Sequence, residues 1–295
     1  MASTSAPIKP RVTVTVLNWC DAPATAACLD SLRGSTYPHL SILLVDNGSP
    51  EGSGDELHRR FPDVPFLQTG ENTGYSGGNN RGIQRALEEG ADFVFVLNPD
   101  TTLDPGTIDS LVDAAMSDDR VGAVAPTVAR MDDPSKSWYG GGAFDPMRAL
   151  GVHWDAENGP SASAAPRAVT FCSGCALLLR ADAIRDVGPF EESYFLYVED
   201  TELSVRLTRS GWKLLHDPRV RVYHDVPPEG AEPSPYQIRY RDRNRRRLAR
   251  THFGLAQRAR FSAWFYATRA IHLARYLVRG DLPRAGAILR GMSER

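Results

Sequence analysis

Four cysteines in 295 residues are too few for a fold stapled by disulfides. Cys172 and Cys175 form a single C-x-x-C, but no second Cys or His pair stands at zinc-site spacing, so the pair reads as core packing. Long apolar runs are missing as well. Nothing reaches the roughly eighteen residues of a spanning helix, and Met1 to Pro10 is polar, without the apolar stretch of a signal peptide. A reducing cytoplasm is therefore the expected setting. No Gly-x-Gly-x-x-Gly follows the first expected strand and no Gly-Lys-Ser/Thr phosphate loop occurs, which disfavours nicotinamide and P-loop chemistry. Net charge is also small, −2, yet it hides an asymmetry. From Arg239 onward fifteen arginines face only Asp242, Asp281 and Glu294, a local balance of +12 that leaves −14 on the first 238 residues.

The apolar fraction of 42% and charged fraction of 24% are those of an ordinary globular protein, long enough for one large α/β domain or two. Strand and helix signals alternate at short spacing in the first half, which argues for βαβ units and a mostly parallel central sheet with flanking helices. Strands are expected at Val12–Leu17, Leu40–Val45, Val64–Gln68, Phe93–Leu97 and Val121–Ala125. Helices are expected at Ala24–Arg33, Asp55–Phe61, Gly82–Glu89 and from Pro105 to about Met116. Residues 132–166 are rich in Gly, Pro, Ser and Ala and read as a long irregular stretch. Order resumes with a strand over Ala168–Arg180, helices near Ala181–Asp186 and Glu199–Arg209, and strands at Gly211–His216 and Val220–His224.

Three strands end on polar groups. Phe93-Val94-Phe95-Val96-Leu97 is an apolar run suited to burial on both faces, and it stops at Asn98-Pro99-Asp100. The second strand ends at Asp46 and the first at Asn18. In an open α/β sheet, ligands gather at such carboxyl ends. An Asp there suits Mg²⁺ or Mn²⁺ carrying a diphosphate, and another could accept the N3–H of a pyrimidine base; an Asx turn at either place needs no ligand. The segment Gly74-Tyr75-Ser76-Gly77-Gly78-Asn79-Asn80 reads as a loop before a helix N-terminus, open to phosphate or sugar oxygens. Glu199-Asp200 stands at an expected helix start, where acids either complement the dipole or, paired and partly desolvated, act as a general base.

Thr13–Asn18, Val45–Ser49, Asn72–Asn80, Leu97–Asp100, Gly174–Arg180 and Glu199-Asp200 occur in the order and spacing of inverting family 2 glycosyltransferases of the GT-A type. Over roughly Arg11 to Asp225 the chain most resembles their rhamnosyltransferase-like branch, in which Asn-Pro-Asp replaces Asp-x-Asp. The resemblance implies a nucleoside diphosphate sugar donor on dTDP or UDP, a hydroxyl acceptor and a Mg²⁺ or Mn²⁺ cofactor. It implies Asp200 as catalytic base with Glu199 as neighbour or substitute, and Asp100 with His224 at the metal. Asn18, Asp46, Asn47, Gly74, Gly77, Gly78, Asn79 and Asn98 would hold the nucleotide sugar. Gly174 and the loop from Trp138 to Gly142 would border the acceptor, core packing being the other role open to Trp138. Asn98 in place of a carboxylate leaves the site one negative charge short.

These readings divide the chain into a disordered start (1–10), a GT-A catalytic domain (11–226) and a linker with a basic amphipathic helical extension (227–295). The arginines from Arg239 to Arg250, followed by Phe261, Trp264, Phe265, Tyr266 and Ile271, suit peripheral contact with an anionic membrane at its inner face. They equally suit packing on the catalytic domain or a second subunit, with the Arg face solvated. Nucleic acid is not an expected partner. A sugar-phosphate nucleotidyltransferase would need a Gly-rich basic loop where Asn18-Trp19-Cys20-Asp21 stands. A non-catalytic nucleotide-sugar or carbohydrate-binding module would not need both Asp100 and Asp200.

Overall fold

A computed structural model describes residues 9–155 and 165–294, so the expected disordered start falls largely outside the described residues. The elements in chain order are β1 (Val12–Asn18), α1 (Ala22–Arg33), β2 (Leu40–Asp46), α2 (Ser53–Arg60), β3 (Phe66–Gln68), α3 (Gly74–Glu88), β4 (Phe93–Leu97) and β5 (Thr101–Leu103). Then come α4 (Thr107–Met116), β6 (Val121–Arg130), β7 (Ser137–Tyr139), β8 (Gly142–Asp145), β9 (Leu150–His153), β10 (Arg167–Val169) and β11 (Ala176–Arg180). The chain continues through α5 (Ala181–Val187), α6 (Glu199–Arg209), β12 (Lys213–His224), α7 (Pro235–His252), α8 (Leu255–Val278) and α9 (Leu282–Ser293).

The main sheet runs β10-β12-β6-β11-β4-β1-β2-β3. Strands β3, β2, β1, β4, β6 and β12 point one way, while β11 and β10 oppose them. The five residues of β4 are fully buried, as a strand with helices on both faces requires. Registers place Asn18 opposite Asp46 and Val16 opposite Leu97, which aligns the polar ends of β1, β2 and β4 along one rim.

The structure differs from expectation at four places. The stretch 132–166 supplies β7, which extends the sheet beside β6, and the β8–β9 hairpin. The apolar run Ala168–Arg180 is two strands separated by residues 170–175, and the two strands expected over 211–224 are one, β12, with an irregularity between Asp217 and Arg221. Gly74–Asn80 is the first part of α3 and not a loop. Its glycines answer to packing: a Cβ on Gly78 would lie 2.6 Å from Leu17, one on Gly77 2.7 Å from Thr73, and Gly74 takes φ +75° with Phe195 where its Cβ would be.

The fourth difference is the extension. Leu248, Ala249, Phe253, Phe261 and Phe265 form a buried cluster with Ala149, Tyr194 and Val198, so α7 and α8 share a core with the segment that leads into α6. The arginines of α7 do not form a solvated face. Arg245 is buried and donates to the Arg148 carbonyl (2.7 Å), Arg246 to the carbonyls of Gly291 and Glu294, and Arg239 to the Glu294 carboxylate. Asp242 bridges α7 to α8 through Arg269 (3.1 Å).

Phe265→Ala removes a fully buried ring from this shared cluster. The expected cost is about 3–5 kcal/mol, seen as a single cooperative melt moved down for the whole protein. A lowered transition confined to the helices, with the sheet melting as before, would show that the extension is a separate unit.

Candidate active site

Strand pairing assembles the first half of the site. After Pro99 the chain enters β5, whose Thr101 pairs with His224 at the end of β12. The same pairing lets the Asp225 N–H donate to the Asp100 carbonyl (3.0 Å). His224 Nε2 consequently lies 3.1 Å from Asp100 Oδ1. Burial alone would lower the His224 imidazole, but the Cys175 sulfur and the Asp100 carboxylate beside it outweigh burial and push it up to about 10. On the other flank β11 lies antiparallel to β4, and the Asn98 N–H donates to the Cys175 carbonyl (2.8 Å). Asn98 Oδ1 and Asp100 Oδ1 are buried atoms without an aligned hydrogen bond among the described residues.

Those free oxygens fit a hard cation. Among the described residues no three His, Cys, Asp or Glu side chains form a cage. Asp100 offers one ligand, and His224 a second once an incoming cation displaces the proton that Asp100 favours; substrate phosphates and water would complete the shell. The residues therefore suit a metal shared with a diphosphate and not one owned by the protein.

The second half comes from the start of α6. Asp200 Oδ2 accepts the Gly174 N–H (3.1 Å), and Oδ1 accepts the Thr201 N–H (2.6 Å). The Tyr75 hydroxyl donates to the Gly174 carbonyl (2.6 Å), so α3 braces the peptide that holds Asp200. Burial raises the Asp200 carboxyl above its ordinary value, opposed by those two backbone N–H groups and by His153. Glu199 rises further: it is buried, its Oε2 has no hydrogen-bond partner among the described residues, and Asp200 is its neighbour. The backbone before them is strained. Phe195, Tyr197 and Val198 all take positive φ (62°, 67° and 74°), unfavourable for aromatic and β-branched side chains.

Asp100 and Asp200 open on one cleft of about 1040 Å³, whose lining also includes Asn98, Trp138, Gly174, Glu199 and His224. Trp138 lines the cleft and also packs internally, its ring meeting His153 and His224 edge-on at 4.4 and 5.2 Å. The remaining expected binding residues lie away from this lining. Asp46 is fully buried and takes four donors: Asn18 Nδ2, Ser49 Oγ, the Ser49 N–H and Gln68 Nε2, at 2.6–3.0 Å. With its acceptor directions filled, the carboxylate organises the rim and offers no open oxygen to a base. Asn18 and Asn47 are likewise held internally, Asn47 by Asn72, Thr73 and the Gly74 carbonyl. Gly74, Gly77, Gly78 and Asn79 are buried within the α3 packing.

Sequence reasoning missed Tyr75, His153 and Arg241, all of which line the cleft. Tyr75 lay hidden in the glycine-rich run, His153 in the stretch read as irregular, and Arg241 in the tail. A smaller cavity of about 620 Å³, near Lys9, Asp92 and Arg185, lies at the opposite ends of the strands from these carboxylates.

Strand-end donors on one side and a helix-start acid pair on the other, facing across one cleft of a mostly parallel sheet, define a glycosyltransferase of the GT-A type. The chain belongs to glycosyl transferase family 2, whose family model matches residues 12–188. It is 35% identical over 232 residues to the N-acetylglucosaminyl-diphospho-decaprenol L-rhamnosyltransferase of Mycobacterium tuberculosis, covering 72% of this chain and 75% of that one. The fold is also that of GalNAc-T7, crystallised with UDP, GalNAc and Mn²⁺ (TM-score 0.69, 15% identity, 90% of this chain and 51% of that chain, about half its length). It is shared too with the mannosyltransferase PcManGT of Pyrobaculum calidifontis, in complex with GDP-Man and Mn²⁺ (TM-score 0.58, 18% identity, 97% of this chain and 86% of that one).

An acid with a raised folded pKa binds its proton more tightly folded than unfolded. The stability this lends is complete below the ordinary carboxylate value, about 4.3 for Glu, and is lost as pH climbs toward the raised value. Glu199→Gln removes that loss. Its melting temperature should gain on the parent steadily as pH rises from acid to neutral, with the advantage vanishing near pH ~4. A difference that is flat across this window would contradict the unpaired buried charge.

Proposed function

We propose that this glycosyltransferase moves a sugar from a pyrimidine nucleoside diphosphate to an acceptor hydroxyl in one inverting displacement, with Asp200 as general base. The observation that carries this reading is the shared cleft, in which Asp100 and Asp200 come from separate elements. Asp200 accepts the proton of the attacking hydroxyl, and its raised pKa suits that task. The attack enters from the face of the anomeric carbon opposite the leaving diphosphate, for which Asp100 and His224 would hold a divalent metal. A Mg²⁺ or Mn²⁺ ion bound there would neutralise charge on the leaving phosphate. Gly174 presents its N–H to Asp200 and keeps the base oriented. A Cβ at residue 174 would sit 3.3 Å from the Asp200 Cβ and crowd it.

The rhamnosyltransferase relative supports a deoxyhexose donor such as dTDP-rhamnose and a lipid-linked acceptor bearing a diphosphate. The nucleotide base would lie on the rim that Asp46 organises, beside Gln68. A lipid-linked acceptor calls for a membrane-facing surface, and the exposed side of α8 would supply one. Tyr266, Ile271, Leu277 and Val278 are exposed along it, Val278 to 88%, among the exposed Arg258, Arg260, Arg275 and Arg279. Glu232, in the loop that lines the cleft, accepts from Arg275 (2.7 Å) and Arg279 (3.2 Å), so this face adjoins the cleft mouth. No helix among the described residues is long and apolar enough to cross a membrane.

A thermal-shift series with UDP, dTDP and GDP, each with and without Mn²⁺, tests the donor reading. A pyrimidine diphosphate should stabilise most, the metal increment should vanish in Asp100→Ala, and Asp200→Asn should keep nucleotide binding while losing roughly 10²–10⁴-fold in turnover. Equal stabilisation by all three nucleotides would reject pyrimidine recognition, and turnover surviving in Asp200→Asn would remove Asp200 as base. Separately, the protein should co-sediment with phosphatidylglycerol vesicles and not with neutral ones, and the double variant Ile271→Asp, Val278→Asp should stay in solution. A vesicle-free dimer that the same variant turns monomeric would make this face a subunit interface instead.

A further inference from the structure

The strained segment before α6 has no local means of support. Phe195, Tyr197 and Val198 sit at positive φ, and turn bonds such as Leu196 N–H to the Tyr194 carbonyl (2.7 Å) do not offset conformations that these side chains disfavour. The Phe195 carbonyl accepts the Ser76 N–H of α3 (3.2 Å), and three other carbonyls point at one side chain. Asn244 of α7, completely buried, directs its Nδ2 at the carbonyls of Tyr194 (2.8 Å), Leu196 (2.8 Å) and Tyr197 (2.7 Å). Arg243 next to it donates to the carbonyls of Ser193 (3.2 Å) and Tyr194 (2.8 Å), and its Nε donates to Asn244 Oδ1 (2.9 Å), which fixes the amide orientation. Glu199 and Asp200 follow directly on this segment, and Asp200 is also tethered through Gly174.

We propose that Asn244 is a positioning residue for the transfer reaction: a clamp from the C-terminal helices that holds the 194–198 turn in its strained form and so aims the Asp200 carboxylate across the cleft. The inference rests on Asp200 being the base. Few side chains can replace this amide. The completely buried position needs two N–H donors on a short stem, and a carboxylate would set negative charge against three carbonyl oxygens. His252 adds a second tie from the same helix, 2.9 Å from Glu202 on α6, so the extension holds the base-bearing helix just before its start and within its first turn.

The geometry sets the expected kinetics. Asn244 does not itself line the cleft and makes no contact with the Asp100–His224 pair; it reaches the lining only through the carbonyls of Leu196 and Tyr197, on the side that carries the base, so its loss is expected to misaim the base without altering donor binding. Displacing a reacting group by about 1 Å costs on the order of 10²-fold in turnover. Full-length Asn244→Ala and Asn244→Asp should show kcat lowered about 10²-fold, with donor KM and the thermal shift from nucleoside diphosphate plus Mn²⁺ within about threefold of the parent. Arg243→Met, altered at a half-exposed position, should show the same split to a smaller degree and covers the case in which Asn244 variants fail to fold. Folded variants with parental kcat would overturn the clamp, as would a loss of kcat matched by an equal loss of nucleotide binding. Asp200→Asn is run alongside: turnover persisting there refutes the base, whereas its loss together with parental kcat in both clamp variants refutes the clamp alone.

Discussion

Two adjacent carboxylates share the first turn of α6, Asp200 part-buried at the cleft and Glu199 buried with an oxygen to which nothing among the described residues donates. The arrangement is unfavourable in isolation, because desolvation and like charge act in the same direction. Most of the surrounding architecture exists to hold it. The Gly174 peptide, braced by Tyr75, supplies one N–H to Asp200; the Thr201 N–H supplies another; and the backbone leading in is bent into conformations its residues would not choose. The cost is shared among the loop at Gly174, α3 and α7, so segments remote in the chain meet there.

The opposite wall is simpler. A parallel sheet places strand ends on one rim, and the switch to antiparallel pairing at β11 and β5 brings Cys175 and His224 up against Asn98 and Asp100. The two groups of residues are joined through Gly174-Cys175: Gly174 holds Asp200 and Cys175 accepts from Asn98.

Much of this was legible in the chain. Buried strands announce themselves by continuous apolar runs, and Asn18, Asp46 and Asp100 were placed at strand ends because polar residues closing such runs have nowhere else to go. The start of α6 was visible in acids preceding an apolar helical period. Two kinds of information were not. Glycine density at 74–80 resembled a loop, whereas the glycines let α3 press against Leu17 and Thr15; local composition does not report how near a neighbouring strand will come. Arginine density at 239–250 resembled a solvated face, whereas those guanidiniums satisfy carbonyls of Arg148, Tyr194 and Gly291, partners that only the tertiary fold supplies. Asp46 shows a third limit: a residue type apt for ligand binding was placed correctly, yet Asn18, Ser49 and Gln68 had already occupied it.

The order of the elements along the chain has a consequence for biosynthesis. Every residue that faces the anomeric centre from the sheet and from α6 precedes α7, while the amide that holds the base-bearing turn follows it. A nascent polypeptide that has not yet made α7 would thus lack the amide that aims the base, and full competence would wait for the later helices to dock.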